Sequence, residues 1–204
     1  STLSCLVLIA EIVPVEPVRS AVLKGNLLAH CAGLLVDGHA FRPHGPLHLV
    51  RAVSKLGDEA VQILRARKVL EEAVCLLAAE YQHRFRSTDE VGAAGGAGGD
   101  EDDEDDEDSV SLEIFLVLDI LMTMVSSDEH FAHARDLNGM HAVVHILSGL
   151  VQQPNLLASD MPVRHDWHVP SLRPLTRSDV VGAAFRVLDH LCHDRVNNQL
   201  AGRL

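Results

Sequence analysis

One short motif recurs along this chain at intervals that fit a repeating unit. A polar stretch of helical character ends in Leu-x-Gly and runs straight into an apolar one three times. It does so at Leu23-Lys24-Gly25 before Leu27 and Leu28, at Leu137-Asn138-Gly139 before Met140, and at Leu200-Ala201-Gly202 before Leu204. Each is preceded by a longer apolar stretch, at 3–12, 112–125 and 180–191. From Gly25 to Gly139 is 114 residues; setting aside the 23 residues of a biased segment at 87–109 leaves 91, two units of about 45. From Gly139 to Gly202 is 63, and replacing the 26-residue spacer 152–177 by a turn of about five leaves about 42, one further unit. A unit of this size cannot bury its own apolar face, so neighbouring units must stack and share a core.

Composition narrows what such a stack does. With 204 residues and 47% apolar content, the chain is not wholly disordered and can bury roughly two-thirds of its unfolded surface. There are 17 basic and 29 acidic residues, but eleven of the acids lie in 89–108, leaving 18 against 17 elsewhere. A near-neutral folded part lacks the clustered cations that neutralise phosphates, which argues against nucleic acid as a partner. Aromatic residues at 3% leave few platforms for stacking bases. Cys5, Cys31, Cys75 and Cys192 form no CxxC pair, so neither a zinc knuckle nor a disulfide framework is expected, and a reducing interior is the default. The longest apolar run, 112–125, is 14 residues with Glu113 and Asp119 inside it, too short and too charged to span a bilayer. Residues 1–10 carry no basic leader, which argues against a signal peptide, and the absent initiator Met suggests a processed or excised piece.

Everything structured reads as helix. Within 179–193, Val180, Ala184, Val187, Leu188 and Leu191 recur at spacings of three and four on one face, while Arg186, Asp189, His190 and His193 share the other. Ser178 or Asp179 is expected to cap this helix. In 139–151, Met140, Val143, Val144, Leu147 and Leu150 form the apolar stripe, with Gly139 breaking the preceding helix and Gly149 and Pro154 closing this one. Residues 58–85 contain no Gly or Pro and read as one long helix or as two that meet without a mark. The run 5–10 is compatible with a buried strand on composition alone, but no hairpin partner lies nearby. The stretch 112–125 is apolar almost all round, which places it between neighbours. Residues 92–99 hold five glycines and three alanines, and 100–108 are nine consecutive carboxylates. Backbone entropy and like-charge repulsion both oppose folding there, so 87–109 is expected to be a disordered acidic loop. Segment 152–177, with Pro154, Pro162, Pro170 and Pro174, reads as a Pro-rich insertion loop.

At units of roughly 40–47 residues with two or three helices each, the chain resembles an armadillo/HEAT-type repeat protein. Residues 126–147 look like that family's short first helix, glycine turn and second helix. Residues 180–191 followed by 197–202 look like a third helix running into the next repeat's first. The resemblance covers 110–151 and 178–204 best, 2–36 less completely, and 46–85 least, because the expected glycine is absent there. It implies an all-α fold: an α-solenoid, an armadillo-like right-handed superhelix with two long loop insertions. Degenerate repeats would occupy 1–86, the acidic loop 87–109, one armadillo-like repeat 110–151, the insertion 152–177, and a third helix with the start of the next repeat 178–204. Because Gly202 stands where another helix would begin, the array is expected to be open at that end, as in the central piece of a larger solenoid.

No catalytic, cofactor-binding or metal-binding residue emerges, and the chain does not read as an enzyme. Thirteen histidines include pairs at His141/His145, His44/His48 and His190/His193. No third and fourth ligand accompanies them, there is no HExxH, and Cys192 points away from the face of His190 and His193. There is no GxSxG. The glycines of 92–99 form neither GxGxxG nor a P-loop, and the adjoining carboxylates repel phosphate. The acidic run also lacks calcium-loop spacing. It reads first as a solvated spacer and second as a weak trap for a basic partner segment.

What remains is a surface. In armadillo-type proteins the third helices line the concave groove, which puts Arg186, Asp189, His190 and His193, with Asp119 and Thr123 at the matching positions of 112–125, in line to contact a partner. Trp167 either anchors a partner or, the favoured alternative, tucks back onto its own fold. The expected function is a non-catalytic protein–protein interaction scaffold offering a helical groove to a peptide or protein, with no nucleic acid and no membrane. Importin-like cargo binding is disfavoured, since that groove uses a ladder of helix Trp and Asn residues. Residues 112–150 more loosely resemble armadillo-type nucleotide-exchange factors of seventy-kilodalton heat-shock ATPases, a second reading. A third is a helical accessory region of a larger enzyme. Cytoplasm is the default compartment, and the sequence does not exclude nucleus or cilium.

Overall fold

The computed structural model describes residues 2–36, 44–81, 104–152 and 177–203, and among these the chain is all-α, with eleven helices and no strand. They are α1 (Thr2–Ile12), α2 (Val18–Lys24), α3 (Leu27–Val36), α4 (His44–Ser54), α5 (Asp58–Ala66), α6 (Val69–Tyr81), α7 (Glu104–Met124), α8 (Asp128–Asp136), α9 (Gly139–Gln152), α10 (Arg177–Leu191) and α11 (Arg195–Ala201). Residues 5–10 are thus helical.

The short helices are set by their ends. Ser127 caps α8 by accepting from the His130 amide at 3.4 Å, Asp128 and Glu129 fill its positive first turn, and His133 and Arg135 its negative last turn. Asp194 caps α11, accepting from the amides of Val196 at 3.0 Å and Asn197 at 2.9 Å. The 58–85 stretch is broken after all: Lys68 takes φ 60° between α5 and α6, as Asn138 does between α8 and α9. These two residues lie seventy positions apart, and the buried set repeats at that offset. Ala60, Val61 and Leu64 match His130, Phe131 and Ala134; Val69, Leu70, Ala73 and Leu77 match Gly139, Met140, Val143 and Leu147.

Four local expectations are corrected. The left-handed residue is Asn138, and Gly139 is the first residue of α9. Its glycine is needed for close approach, since a Cβ there would stand 2.9 Å from the Ala134 carbonyl oxygen and 3.4 Å from Val74 Cγ2. Gly149 lies buried inside α9, which continues to Gln152 and so is not closed by it. Ser178 and Asp179 lie within α10, which begins at Arg177, so neither precedes the helix as a cap. Residues 104–109, expected as loop, form the start of α7: carboxylates at a helix N-terminus meet the positive end of its dipole, and the packed body of the helix propagates backward into them. The rest of that acidic segment, and 153–176 with Trp167 and Pro154, lie outside the described residues.

Packing is sequential. Helix α1 lies against α4, α4 against α7 and α7 against α10; α3 touches α6 and α6 touches α9; α3–α4, α6–α7 and α9–α10 contacts join the two rows. A single apolar cluster runs from Leu6 to Leu191. As expected, α7 sits between neighbours: Leu116, Leu118, Ile120 and Met124 are fully buried, each stabilising the fold by about 1.5–3 kcal/mol. The stripes of α9 and α10 are buried too, although Val144 and Leu188 are only half-buried.

The short helices carry a further regularity. Arg19 of α2 donates to the Leu56 carbonyl at 3.3 Å, Arg65 of α5 lies 3.5 Å from His133 Nδ1, and Arg135 of α8 reaches Asp194 at 3.1 Å and Asn197 at 3.3 Å. In each case the arginine lies on a short helix and its partner on an element further along the chain.

Candidate interaction face

Of the residues nominated from sequence, Asp119 and Thr123 are used internally. Asp119 projects from α7 toward α4, where its carboxylate pairs with Arg51 Nε and, at 2.6 Å, with Lys55 Nζ. Burial pushes this carboxyl upward, but hydrogen bonds from Lys55 and Arg51 and their positive charges outweigh it, holding Asp119 below its ordinary value. The Arg51 guanidinium also lies 5.7 Å from the Phe115 ring centre. Thr123 donates to the Ser54 hydroxyl at 2.7 Å, which donates to the Arg51 carbonyl at 2.8 Å. Together these groups form a polar seam between α4 and α7.

On α10 and the turn after it the nominated residues divide. His190 is half-buried: its Nε2 donates to the Val125 carbonyl, and its ring lies 5.3 Å from that of Phe131. Arg186, Asp189 and His193 are exposed, with His193 Nδ1 donating to the Asp189 carbonyl at 2.9 Å. Beside them Phe185 is 55% exposed. The structure therefore gathers Arg186, Asp189 and His193 on one open surface, leaves His190 in the α7–α10 joint, and sets Asp119 and Thr123 in the α4–α7 joint. Trp167 lies outside the described residues. Sequence reasoning passed over Arg51 and Lys55, which lie four residues apart at the C-terminal end of α4 and just beyond it. It also passed over Phe185, an apolar residue on a polar face.

The remaining reactive groups are dispersed. Among the described residues no three His, Cys, Asp or Glu side chains converge as metal ligands. The four thiols are free, and burial pushes Cys31 up to about 11, far from a reactive thiolate. His145 stacks on Tyr81 at 4.7 Å, while His141 Nδ1 is buried without a hydrogen-bond partner. His130 is held below the usual imidazole value, first by burial and then by the charge of Arg65. Among the described residues no helix is long and apolar enough to cross a membrane.

No protein-family model, curated protein or solved structure matches this chain.

Proposed function

We propose that this chain is a stretch of armadillo-like α-solenoid acting as a non-catalytic scaffold, with the open face of α10 engaging a peptide or protein partner. The observation that carries the reading is the contrast between helices of one row. Polar side chains of α4, α7 and the turn after α4 are consumed in the Arg51–Asp119–Lys55 and Thr123–Ser54 contacts, whereas Arg186 and Asp189 on α10 and His193 just beyond it are exposed. The seventy-residue recurrence of buried positions around Lys68 and Asn138 supports the repeat reading. Recognition there rests on shape, hydrogen bonding and charge, since an arginine and a carboxylate one turn apart discriminate partners more than they drive affinity.

The test is selection of peptides on the whole chain by display, followed by calorimetry of a recovered peptide. The triple variant Arg186→Ala, Asp189→Ala, His193→Ala is expected to bind about tenfold more weakly, or worse. Unchanged affinity would remove α10 from the binding face.

A further inference from the structure

The short helices α8 and α11 match position for position, but only α8 carries side chains that titrate near neutral pH. Setting α11 on α8 at an offset of 67 residues puts the cap Asp194 on Ser127 and the buried Asn197 on the buried His130, at 1% and 7% exposure. The first amide bonds match too: Asn198 donates to the Asp194 carbonyl and Phe131 to the Ser127 carbonyl, both at 2.9 Å. Each helix is also reached by an arginine of an earlier short helix. Arg135 of α8 donates to Asn197 Oδ1 at 3.3 Å and to Asp194 at 3.1 Å. Arg65 of α5, seventy positions before Arg135, turns toward α8 with its Nη2 3.5 Å from His133 Nδ1.

The partners of the two imidazoles decide what a proton does there. His130 Nδ1 accepts from the Ser126 backbone amide at 3.3 Å, directly before the Ser127 cap. An amide N–H only donates, so this ring nitrogen must be bare. His133 Nδ1 faces a guanidinium, which also only donates, so its proton belongs on Nε2, 3.6 Å from Glu71 Oε1. Both rings are therefore held in their neutral form. A proton on His130 sets two N–H groups against each other at the start of α8 and puts charge on a buried ring; one on His133 Nδ1 brings two cations face to face. The surrounding charge is mixed: Arg65 and Asp58 of α5, Glu129 of α8 itself and, at His133, Glu71 of α6. Helix α9 carries no Asp, Glu, Lys or Arg, and on the α10 side Phe131 places its ring against His190. Burial and then Arg65 outweigh the two carboxylates at His130, holding it below the usual imidazole value. The contact with Arg65 is also loosely made, since Arg65 Nη1 and Glu71 Oε2 are buried without a hydrogen-bond partner among the described residues.

We propose that α8 is an acid-released latch: proton uptake by His130 and His133 between about pH 7 and about pH 5 frees its first turn from α5, while the matching start of α11, held by Arg135, Asp194 and Asn197, stays closed. The direction follows from linkage. The folded chain takes up the His130 proton less readily than the unfolded chain, so the latch weakens as pH falls through the ordinary imidazole value of about 6.5, and the loss is complete below the lower folded value. Asn197 has no proton to gain, so α11 serves as a control built into the same molecule.

Backbone amide exchange of the whole chain tests this, read by NMR with saturation transfer where exchange is fast. With intrinsic exchange rates divided out, protection of the Phe131 amide is expected to fall about tenfold relative to that of Asn198 on going from about pH 7.5 to about pH 5. His130→Asn and His133→Asn together offer an amide oxygen in place of each Nδ1, as Asn197 does, and remove both titrating rings. In that double variant the ratio of the two protections should stay constant over the same range. A wild-type ratio that does not change with pH, equal loss at Phe131 and Asn198, or a double variant that keeps the wild-type pH dependence would each overturn the proposal. The wild-type comparison is made within one molecule, so it decides the matter even if the double variant fails to fold.

Discussion

Replacing Lys68 by glycine tests whether the chain turns at this position. Its φ of 60° lies in the left-handed region, where a Cβ costs roughly 1–2 kcal/mol. The turn is otherwise well made, the Lys68 amide donating to the Arg65 carbonyl at 2.9 Å and the Lys68 carbonyl accepting from Glu72 at 3.1 Å. Glycine removes the steric cost but gives back about 0.5–1 kcal/mol in unfolded-chain entropy. The net expectation is stabilisation by about 0.5–1 kcal/mol, or about 1–4 °C in melting temperature for a chain of this size. Asn138→Gly is the internal control: asparagine tolerates the same conformation, so the change there should be near zero. Urea denaturation with an unchanged slope measures both. The sign is the point of the experiment. Glycine in the middle of a continuous helix destabilises by about 0.5–1 kcal/mol. A Lys68→Gly variant less stable than the wild type would mean that residues 58–81 form one helix and that the correspondence with 128–152 fails.

Two further perturbations address the close approach and the seam. Gly139→Ala forces a Cβ to 2.9 Å from the Ala134 carbonyl oxygen and against Val74, so a loss of about 1–3 kcal/mol by urea denaturation is expected; a neutral or stabilising result would show that the glycine is not needed for proximity. Asp119 titrates below its ordinary value in the folded chain, so its contribution is present above the unfolded carboxylate range and is lost as pH falls through the lower folded value. Stability measured against pH should therefore fall on acidification less steeply in Asp119→Asn than in the wild type, and parallel curves would refute the role of the Arg51 and Lys55 contacts.

Helix content and the faces of individual helices were legible in the sequence because one period of 3.6 residues carries them. Residues 112–125 are apolar almost all round and accordingly lie between neighbours, and Val143, Leu147, Val187 and Leu191 are buried on the stripes expected of them. The same rule failed where tertiary partners decide. It places Asp119 and His190 outside because they are polar, whereas Arg51, Lys55 and the Val125 carbonyl give them partners within joints between helices. Such pairs, sixty to seventy residues apart, leave no local mark. The break at Lys68 was ambiguous because lysine in a left-handed turn looks like any helical lysine, and the start of α7 was missed because a carboxylate run that resists folding alone is favourable at a helix N-terminus. The exposure of Phe185 and Leu8 was invisible for a related reason, since it depends on which helix faces have a neighbour.

Arg19, Arg65 and Arg135 each reach from a short helix to residues 37 to 68 positions further along the chain. Under the proposed repeat architecture, loosening would travel outward from a fault as a short-range disturbance, and a lesion near α2 would leave the environment of α11 largely undisturbed.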